Sequence, residues 1–346
     1  SSLNVLIKPI ENLSRSFVKH PFVPESIREF DSRAQEILNI QSTGLARRMI
    51  SAHTEKLIIG LSGGLDSTLA FLVCLETLKS QAVEQKNLIA VTLPGPGTSE
   101  HTLQSVHELT ESVDLKVREI KIHTAVEQHL RDIEHSGNTD TVFENAQARE
   151  RTQVLFDLAN QEAGIVVGTG DLSELALGWC TFNADQMSNY NVNVSVPKTM
   201  IIYLVEWYAK RKASKNLALA LKRVIDTPIS PELIPPKQGE IQQKTEEVIG
   251  PYELHDFFIY HFLRNGSSPT KIFHLANLAY KEKYSQKEIQ KWLKLFFERF
   301  FSQQFKRTTL PPGPKIGSVS LSPRGDWRMP DEASATIYTK EIEALI

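Results

Sequence analysis

The chain has little cysteine, no long apolar run and almost no net charge, and each shortage argues against a class of protein. Its two cysteines, Cys74 and Cys180, form no Cys-x-x-Cys pair, so neither a disulfide framework nor a zinc site is predicted and a reducing cytoplasm is expected. We find no apolar segment long enough for a bilayer and no signal peptide, so no membrane partner is expected. A formal net charge of −2 gives no broad basic field, which argues against a nucleic acid partner.

The remaining composition is that of an ordinary globular protein. The chain has 346 residues, of which 41% are hydrophobic and 23% charged, enough for one large domain or two smaller ones. It begins with Ser1 rather than methionine. We therefore expect it to be a piece of a longer protein.

Strand and helix patterns alternate along the first half of the chain. Four short segments rich in Ile, Val or Leu are predicted strands: 56–61, 87–93, 116–122 and 164–168. Helical patterns cover 25–51, 67–78, 100–112, 145–162 and 199–213. This alternation predicts an α/β fold with a doubly wound, Rossmann-like parallel sheet. Ligands of such sheets bind outside the carboxyl ends of the strands.

The second half is predicted to be largely helical. An extended, proline-rich stretch over 226–236 precedes helices at 251–264, 269–284 and 286–303. Residues 309–330 contain many Pro and Gly, which indicates an ordered or ligand-capped loop.

The most informative stretch is the apolar segment ending at Gly60, followed by Leu61-Ser62-Gly63-Gly64-Leu65-Asp66-Ser67 and a helical pattern. The small residues let a phosphate approach backbone N–H groups, and the following helix directs its positive end toward the same point. Asp66 adds an oxygen ligand for a phosphate-bound Mg²⁺. The alternative is a plain glycine turn with a surface aspartate.

The spacing of the glycines excludes two common types of phosphate-binding loop. No lysine follows the glycines as in a Walker loop, and the Gly-x-Gly-x-x-Gly spacing of dinucleotide loops is absent. The run from Ser62 to Ser67 resembles the signature loop of the ATP pyrophosphatase superfamily, whose fold is that of the adenine nucleotide alpha hydrolases. This resemblance implies cleavage of ATP between its α and β phosphates.

A second polar constellation runs from Gly168 to Trp179 and includes Thr169, Asp171 and Glu174. Asp171 followed by Glu174 is typical of a helix cap. We favour a functional interpretation, in which Glu174 supplies a second carboxylate to the magnesium ion.

A lysine stands at the predicted start of a helix further along the chain. Lys198 follows a polar run that contains Asp185 and Asn193. A cation at a helix N-terminus is unfavourable unless an anion lies nearby. Lys198 is therefore predicted to meet ATP phosphates or the departing pyrophosphate, the alternative being a solvated surface lysine.

Several further runs, in order, resemble NAD synthetase, and in particular the synthetase domain of its glutamine-dependent type. The likeness covers nearly the whole chain from His20 onward. The runs are 143–149, 168–179, 187–193, 196–199, 231–235, 305–307 and 321–328.

The resemblance implies a specific reaction. The carboxylate of deamido-NAD attacks the α-phosphate of ATP, pyrophosphate leaves, and ammonia converts the acyl adenylate to the amide of NAD with release of AMP. It implies Mg²⁺ with ATP as co-substrate, and a homodimer or higher oligomer. Positioning and charge neutralisation dominate such chemistry.

The resemblance also assigns roles to residues. Asp66 and Glu174 match magnesium ligands, and Asp185 and Lys198 complete the implied catalytic set. The implied ATP-binding residues are Gly60, Leu61, Ser62, Gly63, Gly64, Leu65, Asp66, Ser67 and Thr169. The implied deamido-NAD-binding residues are Asn145, Glu174, Trp179, Cys180, Thr181, Phe182 and Lys306.

The glutaminase domain of the glutamine-dependent enzymes has no counterpart in the sequence before His20. Residues 1–24 are interpreted as a lead-in and interdomain linker, and residues 25–346 as the synthetase domain. Either the chain is a fragment whose ammonia comes from a glutaminase partner domain, or it is a stand-alone synthetase that uses free ammonia. Two other functions stay open: another ATP pyrophosphatase-type ligase, and a non-catalytic nucleotide-binding module.

Overall fold

A computed structural model describes residues 16–227 and 245–346 and contains a five-stranded, all-parallel sheet. The strand order is β3-β2-β1-β4-β5, which confirms the predicted α/β fold. Because the chain moves outward in both directions from β1, the order reverses between β1 and β4. The strands are β1 Leu57–Gly60, β2 Leu88–Thr92, β3 Arg118–Glu119, β4 Ile165–Gly168 and β5 Tyr190–Asn191.

Helices cover both faces of the sheet and form the C-terminal region. The first seven are α1 Ile27–Ser51, α2 Leu65–Ser80, α3 Glu100–Glu111, α4 His123–Asp132, α5 Thr141–Glu162, α6 Leu172–Leu177 and α7 Lys198–Arg211. The others are α8 Lys215–Ile225, α9 Thr245–Ile249, α10 Tyr252–Ile259, α11 Pro269–Tyr280, α12 Gln286–Ser302, α13 Gln304–Thr308 and α14 Thr336–Glu343.

The strand side chains alternate between two cores. On β1, Ile59 belongs to the larger core, and its neighbour Ile58 belongs to the core on the opposite face. Val167 and Val166 divide in the same way on β4. A sheet that is buried on both faces reads as a continuous apolar run, which is why these strands were predictable.

A third core fills the C-terminal helical region and is rich in aromatic residues, including Phe258 and Phe296. Its apolar cluster also includes Leu172, Leu175 and Leu177 of α6. The short helix α6 is thus anchored in the helical region while its N-terminus follows β4 of the sheet. It connects the two parts of the fold.

Several predicted boundaries were wrong. Helix α2 begins at Leu65 rather than at residue 67, so Asp66 lies in its first turn. β3 has two residues instead of the predicted 116–122, and α11 ends at Tyr280 rather than at residue 284. Elements not predicted from the sequence include β5, α4 and α8.

The loop 309–330 is irregular, as predicted, and its own contacts order it. Ile316 and Leu321 are buried. The N–H of Asn191 donates to Pro312 O at 2.8 Å, and Ser195 Oγ donates to Pro314 O at 2.7 Å. The loop is therefore fixed against the end of β5 and the segment that follows it.

Some sequence-based predictions concern residues outside the described part of the chain. They are most of the lead-in, residues 1–15, and the extended stretch beyond residue 227, which includes the motif at 231–235. Within the described residues, no helix combines the length and apolar character needed to cross a bilayer.

Candidate functional site

The glycine turn lies between β1 and α2 and has the geometry of a close-approach loop. Gly63 has a φ of 74°, in the left-handed region that favours glycine. A Cβ there would lie 2.9 Å from the backbone oxygen of Thr102, so a larger residue would clash. Gly64 is the N-cap of α2 and supplies no side-chain cap. The first N–H groups of α2 therefore lack a capping side chain and are suited to an anion.

Three carboxylates lie together at the ends of the adjacent strands β1 and β4. Asp66 is in the first turn of α2, Asp171 is the N-cap of α6, and Glu174 is in the first turn of α6. One oxygen from each lies within 4.8 Å of the other two. A group of carboxylate oxygens this close is suited to a hard divalent cation.

Lys198 lies among these three carboxylates. Its Nζ is 2.7 Å from Asp66 Oδ2, 2.6 Å from Asp171 Oδ2 and 3.0 Å from Glu174 Oε1. Its side chain is 1% exposed, which rules out the alternative of a solvated surface lysine. The anions at this helix start are protein carboxylates, an outcome that the sequence did not predict.

The cluster shifts the pKa values of its members. Burial raises the pKa of Glu174 to about 7, although the nearby ammonium of Lys198 opposes this shift. Burial likewise raises the pKa of Asp171 well above its usual range. Burial alone would lower the pKa of Lys198, but Asp171, Asp66 and Glu174 more than offset it and raise that pKa. Three acids share one base, so ionisation of the buried acids is disfavoured, and an added cation would favour their charged forms.

Asn193 fixes the two loops of the site relative to each other. Its Nδ2 donates to the backbone oxygens of Asp66 at 2.9 Å and Thr169 at 3.1 Å. Asn191, at the end of β5, donates in the same way to Gly170 O at 2.8 Å. Thr169, the expected ATP contact, therefore lies in a loop that is tied to the glycine turn.

The residues expected to bind the dinucleotide form a second group beyond the C-terminus of α6. Thr181 Oγ1 donates to Asn145 Oδ1 at 2.9 Å, and the Thr181 N–H donates to Asp185 Oδ1 at 2.8 Å. The ring of Phe182 lies 5.3 Å from that of Phe305. Because α6 has only six residues, the two groups are separated by about 9 Å along its axis.

Three basic side chains bind the carbonyl groups at the C-terminal end of α6. Lys306 Nζ donates to Gly178 O at 2.8 Å and to Cys180 O at 2.7 Å. Arg299 Nε donates to Leu177 O at 2.8 Å, and Arg307 donates to the carbonyls of residues 175 and 176. Cations are favourable at this end of a helix. They fix the path of the segment that contains Trp179 and Cys180.

Cys180 has the properties of a lining residue. Burial raises the pKa of its thiol, whereas a nucleophilic cysteine needs a lowered pKa. Trp179 stacks under the Arg299 guanidinium, with 5.3 Å between the guanidinium carbon and the ring centre.

Sequence reasoning missed several members of the site. Asp171 was expected to cap α6, and it does so through Oδ1, which accepts from the N–H groups of Ser173 and Glu174. Its second role, the ion pair through Oδ2 with Lys198, was not foreseen. Asn193 is fully buried, and its place in an unusually polar run was the available signal.

The comparisons with known proteins identify the family. The NAD synthase family model matches residues 37–307, and the chain belongs to the NAD synthase family. The glutamine-dependent NAD(+) synthetase of Mycobacterium leprae (strain TN) is 40% identical over 362 residues, covering 97% of this chain and 53% of that protein. The enzyme of the same description from Mycobacterium tuberculosis (strain H37Rv) is 40% identical over 356 residues, covering 96% and 52%.

Solved structures show the same fold. A glutamine-dependent NAD(+) synthetase from Cytophaga hutchinsonii gives a TM-score of 0.71 at 18% identity, covering 90% of this chain and 56% of that chain. The glutamine-dependent NAD+ synthetase of Acinetobacter baumannii, solved in complex with adenosine diphosphate, gives a TM-score of 0.52 at 21% identity. The match covers 86% of this chain and 49% of that chain. The chain spans about half the length of the curated relatives it matches.

Proposed function

We propose that this chain catalyses the ATP-dependent amidation of deamido-NAD to NAD, releasing AMP and pyrophosphate. The observation that supports this most is the convergence of a glycine turn, three carboxylates and a buried lysine at the switch in strand order. Such a site offers N–H groups and a positive charge to a triphosphate, and acidic groups to its metal ion. The names of the relatives support the same reaction.

The acidic group fits the Mg²⁺ that would accompany ATP. Its donors are all carboxylate oxygens, and Asp66 Oδ1 is buried with no hydrogen-bond partner among the residues that the structure describes. Asp66 and Glu174 would bind the ion, with Asp171 as a third acid close by. When bound, Mg²⁺ would neutralise charge on the phosphates and stabilise the leaving pyrophosphate.

The protein residues would act mainly by positioning and charge. The backbone N–H groups of Ser62 to Ser67 and the side chain of Thr169 would bind the phosphates of ATP. Lys198 would turn from the carboxylates to the phosphates as the metal enters. The negative charge that develops on the leaving group would then face a buried ammonium group.

The second group of residues would bind deamido-NAD and present its carboxylate to the α-phosphate. Trp179 and Phe182 offer aromatic faces for a flat ring, and the half-buried segment 179–182 beside Asp185 would shield the acyl adenylate from water once the dinucleotide is bound. Lys306 would act by fixing the backbone of this segment. The remaining proposed contacts are Asn145, Glu174, Cys180 and Thr181.

The source of ammonia is proposed from the relatives. Residues 25–346 would form the synthetase unit, and a glutaminase domain of the kind implied by the relatives' names would supply ammonia to it. By itself, the chain would use ammonium.

One assay tests the proposal. The chain is incubated with ATP, Mg²⁺ and ammonium, and pyrophosphate release is measured with and without deamido-NAD. The proposal expects release that requires deamido-NAD and is matched by formation of NAD and AMP. Nucleotide binding with no turnover would indicate a sensor, and turnover with a different acid would indicate another ligase of the superfamily.

A further inference from the structure

Asp256 is a buried carboxylate outside the expected site, and it binds the starts of two site helices. It lies in α10, and 1% of its surface is exposed. Its Oδ1 accepts a hydrogen bond from Ser173 Oγ in α6. Its Oδ2 accepts from Thr199 N at 2.9 Å and from Thr199 Oγ1 at 2.6 Å, both in α7. One side chain therefore connects α6, α7 and α10.

The partners of Asp256 are the immediate neighbours of the cluster residues. Ser173 precedes Glu174 in α6, and Thr199 follows Lys198 in α7. Ser173 Oγ also accepts the backbone N–H of Lys198 at 2.8 Å. A continuous chain of hydrogen bonds thus runs from Asp256 through Ser173 to the backbone of Lys198.

Helix α10 also contacts the side chain of Lys198. The ring centre of Tyr252, the first residue of α10, lies 5.1 Å from Lys198 Nζ. The carboxylate of Asp256 thus lies against the backbone at the start of α7, while the Tyr252 ring lies against the ammonium. Helix α10 therefore contacts the site both near the backbone of Lys198 and at its ammonium group.

The chemistry of these bonds requires a carboxylate. All three groups that face Asp256 donate hydrogen bonds, and an ionised carboxylate only accepts them. A negative charge is also favourable at the N-terminus of α7, which has 14 residues. An asparagine that keeps its oxygen on Thr199 would place an NH₂ group against Ser173 Oγ, so the Ser173 O–H would lose the acceptor that it has in Asp256 Oδ1.

We propose that Asp256 is a positioning residue for the reaction. By fixing the first turns of α7 and α6, it holds Lys198 and Glu174 in their positions relative to each other. It touches neither substrate and acts through its neighbours. This inference rests on the proposed function for its kinetic readout. Small misplacements of reacting groups are costly in enzymes, so the contribution is expected in kcat.

The test compares Asp256→Asn with Phe258→Leu on the same helix. Phe258 is fully buried and packs on Phe296 in the aromatic core, so its variant should perturb α10 through the aromatic core and keep the hydrogen bonds of Asp256. Both are assayed at a temperature where circular dichroism shows them folded. Asp256→Asn should lower kcat by about 100-fold with little change in KM for ATP. Phe258→Leu should keep kcat within about twofold.

A combination with Lys198→Met separates positioning from plain stabilisation. If Asp256 acts through Lys198, Asp256→Asn should cause little further loss in the Lys198→Met background. Equal losses of kcat in Asp256→Asn and Phe258→Leu, or independent effects in the double variant, would overturn the inference.

A binding measurement keeps this test distinct from that of the proposed function. Affinity for Mn²⁺ with ATP, followed by the electron paramagnetic resonance of free Mn²⁺, needs no turnover. Asp256→Asn should weaken this affinity by about tenfold, since Glu174 is displaced, and Phe258→Leu should not. A wild-type chain that binds Mn²⁺ with ATP but does not respond to deamido-NAD would count against the proposed function alone. Equal affinity in both variants would count against Asp256.

Discussion

The Nζ of Lys198 lies 2.6 Å from Oδ2 of Asp171, and both side chains are buried. Asp171 caps α6 with its other oxygen, and Lys198 is the first residue of α7. The ion pair therefore ties the N-terminus of one helix to that of another. Removing one member of such a buried pair leaves an uncompensated charge, whereas the pair itself is only weakly stabilising.

Replacing Lys198 with methionine should leave three close carboxylates without a counterion. We expect Lys198→Met to lower the free energy of unfolding by about 3–5 kcal/mol, measured by urea denaturation without metal. Mn²⁺ should restore more stability to this variant than it adds to the wild type, because the ion substitutes for the missing charge.

Lys212→Met is the matched control for this experiment. Lys212 pairs with Glu76 at 3.2 Å at the other end of α7, and its side chain is 25% exposed. Its loss should cost about 1 kcal/mol or less and respond little to Mn²⁺. Equal destabilisation of the two variants would show that the Lys198 cluster is not electrostatically coupled.

Asp66→Asn tests the acidic group directly. The substitution preserves size and the first turn of α2, so the fold should be kept. Turnover should fall by about 100-fold or more, because the proposed metal ligand loses its formal charge. Asp31→Asn, which alters the exposed pair with Arg211, is the control. Normal turnover in Asp66→Asn would place the metal elsewhere.

The elements around the site could be predicted where local pattern and burial coincide. β1 and β4 are apolar because both of their faces are covered, and the glycines after β1 are required by local backbone conformation. β5 has only two residues, Tyr190 and Asn191, and its place in the sheet depends on pairing with β4. Helix α4 has a single buried residue, Val126, so its apolar signal is weak.

Which side chains pair with each other inside the site is decided by tertiary structure, so these pairs could not be predicted from the sequence. The sequence indicated that Lys198 needs an anion, because it lies at a helix start. Which anion it meets is decided by the crossover that places α6 beside α7, and no local pattern contains that information. For the same reason, the hydrogen bonds of Asp256 to Ser173 and Thr199 could not be predicted from a helix that reads as ordinary core.

Glu174 should give metal binding a pH dependence. Because its pKa in the folded chain is raised to about 7 from 4.5, its carboxyl is largely protonated below pH 7 and charged above it. Affinity for Mn²⁺ with ATP should therefore rise with pH up to about 7 and then level off. The folded state retains a proton that the unfolded chain loses, so Glu174 contributes less to the free energy of unfolding as pH rises from 4.5 to about 7.

Isothermal titration with MnCl₂ and ATP across this pH range checks the expectation for Glu174. The Glu174→Gln variant should bind Mn²⁺ with ATP more weakly at every pH, and its affinity should lose the pH dependence attributed to Glu174. A pH profile that is unchanged in Glu174→Gln would assign the titration to another residue.

The chain should form NAD from ammonium but not from glutamine. Glutamine hydrolysis by a thiol requires an activated cysteine, and the sequence has only Cys74 and Cys180. Burial raises the pKa of both thiols, so neither is activated. Chromatographic measurement of NAD with each nitrogen source tests this expectation. Glutamine-driven synthesis by the purified chain would contradict it.

Lys306→Met should selectively weaken binding of deamido-NAD. Lys306 Nζ donates to the backbone oxygens of Gly178 and Cys180, and without it the segment that leads to Phe182 loses two charge-assisted hydrogen bonds. KM for deamido-NAD should rise by about tenfold, equivalent to one such bond, while KM for ATP stays unchanged because the glycine turn is untouched. Lys294→Met, which alters an exposed lysine on α12, should affect neither constant. A change in KM for ATP alone would mean that Lys306 acts on the glycine turn and not on the segment that leads to Phe182.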